Sequence, residues 1–136
     1  MRVLAAILLL LVGSGCERAP VEPGMFFPTW SPEGAVPTGI VQGVLVREDR
    51  CLFVEGNRER TLVVWEEGLG FDGDALLSFA GAPIAHLGET IHGGGGYFSD
   101  RGHMERLAQE AIPDRCVPSG SDRFALIYEV AAGPFG

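Results

Sequence analysis

The stretch IVQGVLVREDRCLFVEGNRERTLVVW, residues 40–65, decides the predicted fold. It is rich in β-branched and aliphatic side chains, which favour strands. Charged residues at 48–50 make a polar turn, and Gly56-Asn57 makes a second one. We therefore expect an antiparallel meander of three strands joined by short turns, at 40–46, 51–55 and 61–65.

The rest of the chain predicts more short strands and one helix. Apolar residues at Met104, Leu107, Ala108 and Ala111 follow the spacing of one helical face, and a helix is expected at 104–112, before a proline. Gly93 to Gly96 are expected to form a hairpin turn or a bend. This pattern predicts a mainly β fold, a small OB-like antiparallel β-barrel with one short helix, and a β-sandwich is the alternative. Further strands are expected at 75–79, 83–87, 89–92 and 124–130.

The N-terminal sequence MRVLAAILLLLVGSGC, residues 1–16, has the layout of a secretory signal. Arg2 supplies a positive charge, and the apolar run that follows is too short to span a bilayer comfortably. Ser14, Gly15 and Cys16 resemble the lipobox of bacterial lipoproteins, in which the cysteine receives the lipid. The resemblance implies an exported protein that is lipid-anchored to a bacterial membrane through Cys16, with its domain in the periplasm or outside the cell. An ordinary signal beside a cysteine is the alternative.

We divide the chain into a signal at 1–15, a tether at 16–38 and a β-barrel domain at 39–136. The tether is rich in proline, which favours extended chain. Phe26, Phe27 and Trp30 are unusual residues for a linker. We expect them to fold back onto the domain, and placement at the membrane interface is the alternative.

The chain has three cysteines, Cys16, Cys51 and Cys116. If Cys16 carries lipid, two remain in an exported domain, and we expect them to form a disulfide. Two separate buried thiols are the alternative.

An ordered set of short motifs runs through the domain: Gly43-Val44-Leu45, Cys51-Leu52, Leu62-Val63-Val64-Trp65, Gly68, Gly88-Glu89-Thr90-Ile91, Gly93-Gly94-Gly95 and Cys116. With this set, the domain resembles a group of small, uncharacterised bacterial envelope domains over roughly residues 39–130. The resemblance implies a barrel-like fold and a disulfide, and it implies no activity.

Composition and motifs exclude several classes of function. The formal net charge of −8 repels phosphate backbones, so we expect no nucleic-acid partner. Gly93 to Gly96 lack the lysine and hydroxyl residue of a phosphate-binding loop, and we expect no cofactor. No serine lies in a nucleophile-elbow sequence, and we predict no catalytic residues.

The histidines are the candidates for metal chemistry. The spacing of His86, His92 and His103 matches no standard zinc motif, so we predict surface or turn histidines and no metal site. The alternative function is a small metal-binding protein or an enzyme that uses these three side chains with nearby carboxylates.

The candidate ligand face consists of aromatic residues. Tyr97 and Phe98 follow the glycine run and are well placed for exposure. Trp65 is expected in the core near the disulfide, and an exposed binding role is the alternative. The functional hypothesis is a lipid-anchored envelope protein, a binding or structural module without catalytic activity. Its expected partners are the membrane, through Cys16, and another envelope protein or a glycan.

Overall fold

A computed structural model describes residues 18–56, 59–120 and 123–136. The prediction of a mainly β fold with a short helix is confirmed. The signal sequence and Cys16 lie outside the described residues, and no described helix is long and apolar enough to cross a membrane. The elements are β1 (Thr29–Trp30), β2 (Gly39–Glu48), β3 (Cys51–Gly56), β4 (Glu59–Glu66), β5 (Gly70–Phe71), β6 (Ala75–Leu77), β7 (Pro83–His86), β8 (Thr90–Phe98), α1 (Arg101–Ala108), a 3₁₀ turn (Asp114–Cys116) and β9 (Phe124–Ala132).

The predicted meander is present as β2, β3 and β4, with antiparallel pairing throughout. Glu48 pairs with Cys51 across a two-residue turn, and both turn residues, Asp49 and Arg50, have positive φ. A two-residue hairpin turn with positive φ at both positions matches the right-handed twist of the strands that it joins. The turn therefore fixes the position of Asp49 at the edge of the barrel.

The barrel is closed by β8 and β9. β8 pairs antiparallel with β2, β9 pairs antiparallel with β8, and β9 then pairs with β4. This last pairing is parallel, with Val63 opposite Ala125. The barrel is thus OB-like, and the expectation that it is antiparallel throughout is wrong at this one seam. A parallel seam is possible here because β4 and β9 are not neighbours in sequence, so no hairpin requires them to run in opposite directions.

Alternate residues of these strands fill the barrel interior. Leu45, Leu52, Val63 and Ile127 point inwards and are buried together with Trp65, whose ring stacks on Phe27 at 5.7 Å between centroids. Burial of such aliphatic side chains stabilises the fold by about 1.5–3 kcal/mol each.

The glycine run belongs to β8, so the expected turn or bend at Gly93–Gly96 is wrong. A Cβ at Gly93 would lie 2.6 Å from Ile127, and a Cβ at Gly94 would lie 2.6 Å from the ring of Tyr128. β8 approaches β9 too closely for side chains, and the glycines make that approach possible. The pairing register shifts between His92 and Gly94.

A small three-stranded sheet of β5, β6 and β7 lies between β4 and β8 in the chain. β6 ends at Leu77 and β7 ends at His86, so both strands are shorter than the predicted 75–79 and 83–87. The predicted strand at 89–92 is the first part of β8.

α1 and the 3₁₀ turn cover the outer face of the barrel. Helix α1 starts earlier than predicted because the Asp100 side chain accepts a hydrogen bond from the His103 N–H, which caps the helix. It ends at Ala108 because Gln109 adopts a left-handed conformation. Beneath this covering segment, residues 99–120, lies a second apolar core: Cys51, Phe53, Leu62, Val64, Met104, Ile112, Cys116, Phe124 and Leu126, with Phe26 and Trp30.

The disulfide expected between Cys51 and Cys116 is present. The two Cα atoms are 5.5 Å apart, within the usual range, and both residues are fully buried. The bond joins the start of β3 to the 3₁₀ turn, so it fixes the covering segment to the barrel.

The stretch expected as a proline-rich tether lies against the barrel from residue 18 onwards. Phe26, Phe27 and Trp30 are buried, and β1 pairs parallel with the end of β4. The indole N–H of Trp30 donates to the Ile127 carbonyl oxygen at 3.0 Å. The aromatic side chains of this stretch therefore contribute to both cores.

Candidate functional site

The structure separates the three residues of the predicted ligand face. Trp65 is fully buried in the barrel interior, where it is a core residue. Tyr97 is 42% exposed, and its hydroxyl accepts a hydrogen bond from the Gln42 N–H at 3.3 Å. Phe98 packs on the second core near α1, with its ring 5.9 Å from that of His103. They do not form one surface.

The three histidines make separate local contacts. His86 pairs through Nδ1 with Glu89 at 3.0 Å, and Nδ1 of His92 lies 2.8 Å from the Gly133 carbonyl oxygen. His103 contacts Phe98. Within residues 18–56, 59–120 and 123–136, no three His, Cys, Asp or Glu side chains form a group that could hold a metal ion.

The covering segment leaves part of the outer barrel face open. In OB folds, ligands bind on the outer face of the second and third barrel strands, between the loop that joins the first two strands and the loop that joins the last two. Here those strands are β3 and β4, and the loops are the Asp49–Arg50 turn and the covering segment. A cleft of about 510 Å³ opens at this position, lined by Glu48, Asp49, Phe53, Glu59, Arg60, Arg115, Val117, Pro118, Ser119 and Gly120.

Arg60 lines this polar cleft. Its guanidinium pairs with Glu48 and with Glu55, the latter at 3.1 Å, and lies 5.1 Å from the centre of the Phe53 ring. The hydrogen bond to Glu48, and then the one to Glu55, raises the pKa of Arg60 against the opposing effect of burial. Arg60 is therefore a fixed cation with its hydrogen-bond donors largely occupied.

Arg115 forms the wall on the side of the covering segment. Its Nε donates to the Asp49 carbonyl oxygen at 3.2 Å, which connects the two loops that border the cleft. In the described part of the chain, its guanidinium has no ion pair, and neither do the carboxylates of Asp49 and Glu59. A guanidinium has five N–H donors, and each carboxylate is an acceptor, so the cleft offers both kinds of group to a ligand.

None of these cleft residues was predicted from the sequence as a site residue, although Glu48 and Asp49 belong to the predicted polar turn. The signal that identifies them is the disulfide, because pairing Cys116 with Cys51 brings Arg115 beside Asp49. The alternation of side chains along a strand identifies Arg60, since it lies on the same outer face of β4 as Leu62 and Val64. Sequence reasoning placed the ligand face on aromatic residues and missed this polar cleft.

Comparison of the chain with protein-family models, with curated proteins and with solved structures finds no match. No activity can be carried over from a relative. An OB-like barrel hosts many unrelated functions, so the function has to be argued from the geometry and chemistry of the cleft.

Proposed function

We propose that the chain is a glycan-binding module of the bacterial cell envelope, without catalytic activity, anchored through a lipid on Cys16. The observation that carries the proposal is the polar cleft, which occupies the ligand position of OB folds. It offers the carboxylates of Asp49 and Glu59 beside the guanidinium of Arg115, and none of these groups has an ion pair among the described residues. Oligosaccharides are among the ligands that OB folds bind at this position.

The chemistry of the lining suits a sugar. Hydroxyl groups donate to carboxylates such as those of Asp49 and Glu59 and accept from the N–H groups of Arg115. A nucleic acid would meet three carboxylates in the lining and an acidic chain of net charge −8, which repel its phosphates. The lining therefore favours a ligand rich in hydroxyl groups over a polyanion.

The size of the cleft favours a short ligand. The covering segment buries Phe53, Leu62 and Val64 on the outer face of β3 and β4, so a polymer cannot run across these strands. A volume of about 510 Å³ lies within the usual range for small-ligand sites. We therefore propose that the module binds a few sugar units, such as the end of a glycan chain.

The binding test uses an array of defined neutral and acidic oligosaccharides, followed by calorimetric titration with each oligosaccharide that is retained. Arg115→Ala removes the guanidinium from the cleft, and a lost hydrogen bond to a charged group costs about 1.5–3 kcal/mol. We expect affinity to fall by roughly tenfold to a hundredfold. Arg106→Ala is the matched control, because Arg106 is also exposed and lies on α1, outside the cleft.

Two results would overturn glycan binding in the cleft. One is that the array retains no oligosaccharide. The other is that Arg115→Ala and Arg106→Ala lower the affinity equally.

The anchor has its own test, an intact mass of the protein released from bacterial membranes. Loss of residues 1–15 with added acyl chains on Cys16 supports the anchor, and a chain without lipid refutes it. The two tests are independent, so glycan binding and lipid anchoring can fail separately.

A further inference from the structure

The chain is fixed to the barrel from the first described residue. Arg18 forms an ion pair with Glu67, and the Ala19 N–H donates to the Gly68 carbonyl oxygen at 3.0 Å. The Phe71 N–H then donates to the Pro20 carbonyl oxygen at 3.0 Å. Since Ala19 is buried, residues 18–20 form part of the packed structure and do not act as a flexible spacer.

The proposed lipid site is only two residues before this point. Two residues of extended chain span at most about 7 Å. The headgroup region of a bilayer leaflet is about 5–8 Å thick. With acyl chains on Cys16, Arg18 is therefore held at the level of the headgroups, and the barrel surface around it has to meet the membrane.

The surface next to Arg18 carries the exposed aromatic side chain of Phe79. Phe79 is 46% exposed, and its ring packs on Gly68, so that a Cβ on Gly68 would lie 2.8 Å from the ring. The carbonyl oxygen of Gly68 accepts the hydrogen bond from the Ala19 N–H, so the Phe79 ring lies close to the start of the described chain. An exposed phenylalanine beside a lipid attachment point suits the boundary between headgroups and acyl chains.

We infer that the face formed by Arg18 and Phe79, the exit face, lies directly on the lipid surface with the Phe79 ring among the headgroups. This inference rests on the proposed lipid anchor at Cys16. The net charge of −8 gives no attraction to anionic lipids, and Arg18 is already paired with Glu67, so the matching surface is zwitterionic. The module is then held in one fixed orientation, and it is not suspended on a tether at 16–38.

The test attaches the processed chain, residues 16–136, to phosphatidylcholine vesicles with brominated acyl chains through a maleimide lipid that reacts with Cys16. Cys51 and Cys116 are in the disulfide, so Cys16 is the free thiol. Phe79→Trp reports contact of the exit face with lipid by bromine quenching of tryptophan fluorescence. Tyr97→Trp is the matched control, because Tyr97 is 42% exposed and is a comparable aromatic residue.

The two reporter positions are well separated along β9. Tyr97 pairs with Ala125, whereas Phe79 lines a small cavity with Glu129 and Val130. Four residues of strand correspond to roughly 13 Å, beyond the short range of bromine quenching. The native tryptophans, Trp30 and Trp65, are both buried, and the parent chain measures their background.

We expect quenching of the added emission in Phe79→Trp and none in Tyr97→Trp. Equal quenching at both positions, quenching of Tyr97→Trp alone, or quenching of neither overturns the inferred orientation. Because the lipid is attached chemically, this result is independent of whether cells lipidate Cys16, which the intact mass decides.

Discussion

Replacing both Cys51 and Cys116 by alanine removes the covalent link between β3 and the covering segment. The bond spans a sequence separation of 65 residues. In the chain-entropy model, closing a loop of this length lowers the entropy of the unfolded chain enough to stabilise the fold by about 4 kcal/mol. That is a large part of the roughly 5–15 kcal/mol by which a typical domain is stable.

The native contacts around the bond are largely kept in this double variant. Met104 and Ile112 still pack on Phe53 and Phe124, because the second core has many members besides the two sulfur atoms. Alanine leaves no buried polar group, unlike serine. The loss is therefore expected mainly through the unfolded state.

The assay is equilibrium unfolding in urea, followed by the fluorescence of the buried tryptophans. With a typical slope of about 2 kcal/mol per M, a loss of about 4 kcal/mol lowers the midpoint by about 2 M. Reducing the wild-type protein with a dithiol in the presence of urea gives an independent measurement of the same loss. Cys116→Ala alone, compared with the double variant, shows what a single unpaired thiol at Cys51 adds.

A loss of less than about 1 kcal/mol in the double variant would refute the reasoning. It would mean that the unfolded chain keeps the covering segment near β3 without the bond. Unfolding in two separate transitions would also refute it, because the covering segment would then be released before the barrel.

Two further predictions concern the backbone of β8 and the acid limit of stability. Gly95 has a φ of +154°, and a Cβ there would overlap the Leu126 carbonyl oxygen, so Gly95→Ala should cost about 3 kcal/mol in thermal or urea unfolding. Gly81→Ala, where φ is +81° and nothing lies within 4 Å, should cost only about 1 kcal/mol, and equal losses would contradict the argument. The pKa of Asp72 is lowered, mainly by the hydrogen bond that its carboxylate accepts from the Ala75 N–H. The ionised carboxylate therefore stabilises the fold fully above the usual pKa of an aspartate, and this stabilisation is lost as the pH falls through the lowered pKa. The melting temperature of Asp72→Asn should therefore fall less than that of the wild type below about pH 4, and parallel curves would contradict this.

The strands of the meander could be predicted because their signal is local. Residues 40–65 alternate strand-forming runs with short polar turns, and β2, β3 and β4 contain all three predicted strands. The pairing of β9 with β4 could not be predicted, because it joins Val63 to Ala125 and depends on closure of the whole barrel. The glycine run was misread for a similar reason, since its role is set by the distance to Ile127 and Tyr128.

The candidate site could be predicted only in part. The disulfide followed from the count of cysteines, and its position beside the Asp49–Arg50 turn required the structure. The histidines and aromatic residues drew attention because their side chains suit metals and ligands, but His86, His92 and Tyr97 make separate local contacts. Arg115 and Glu59 do not belong to any sequence motif. The polar cleft is formed by elements that are distant in sequence, so its residues have no characteristic spacing along the chain.

The outer face of β4 explains why the cleft lies where it does. Arg60, Leu62 and Val64 share this face, and the two apolar residues are buried only because the covering segment lies over them. An apolar run on both faces of a strand indicates that both faces are covered, as for strands buried between two layers. Along this face, the apolar side chain of Leu62 is followed by the charged side chain of Arg60, which gains nothing from being covered. The cleft begins at Arg60. The covering segment therefore closes most of the OB ligand face to a polymer and leaves open the polar end, beside Arg115, where we place the glycan.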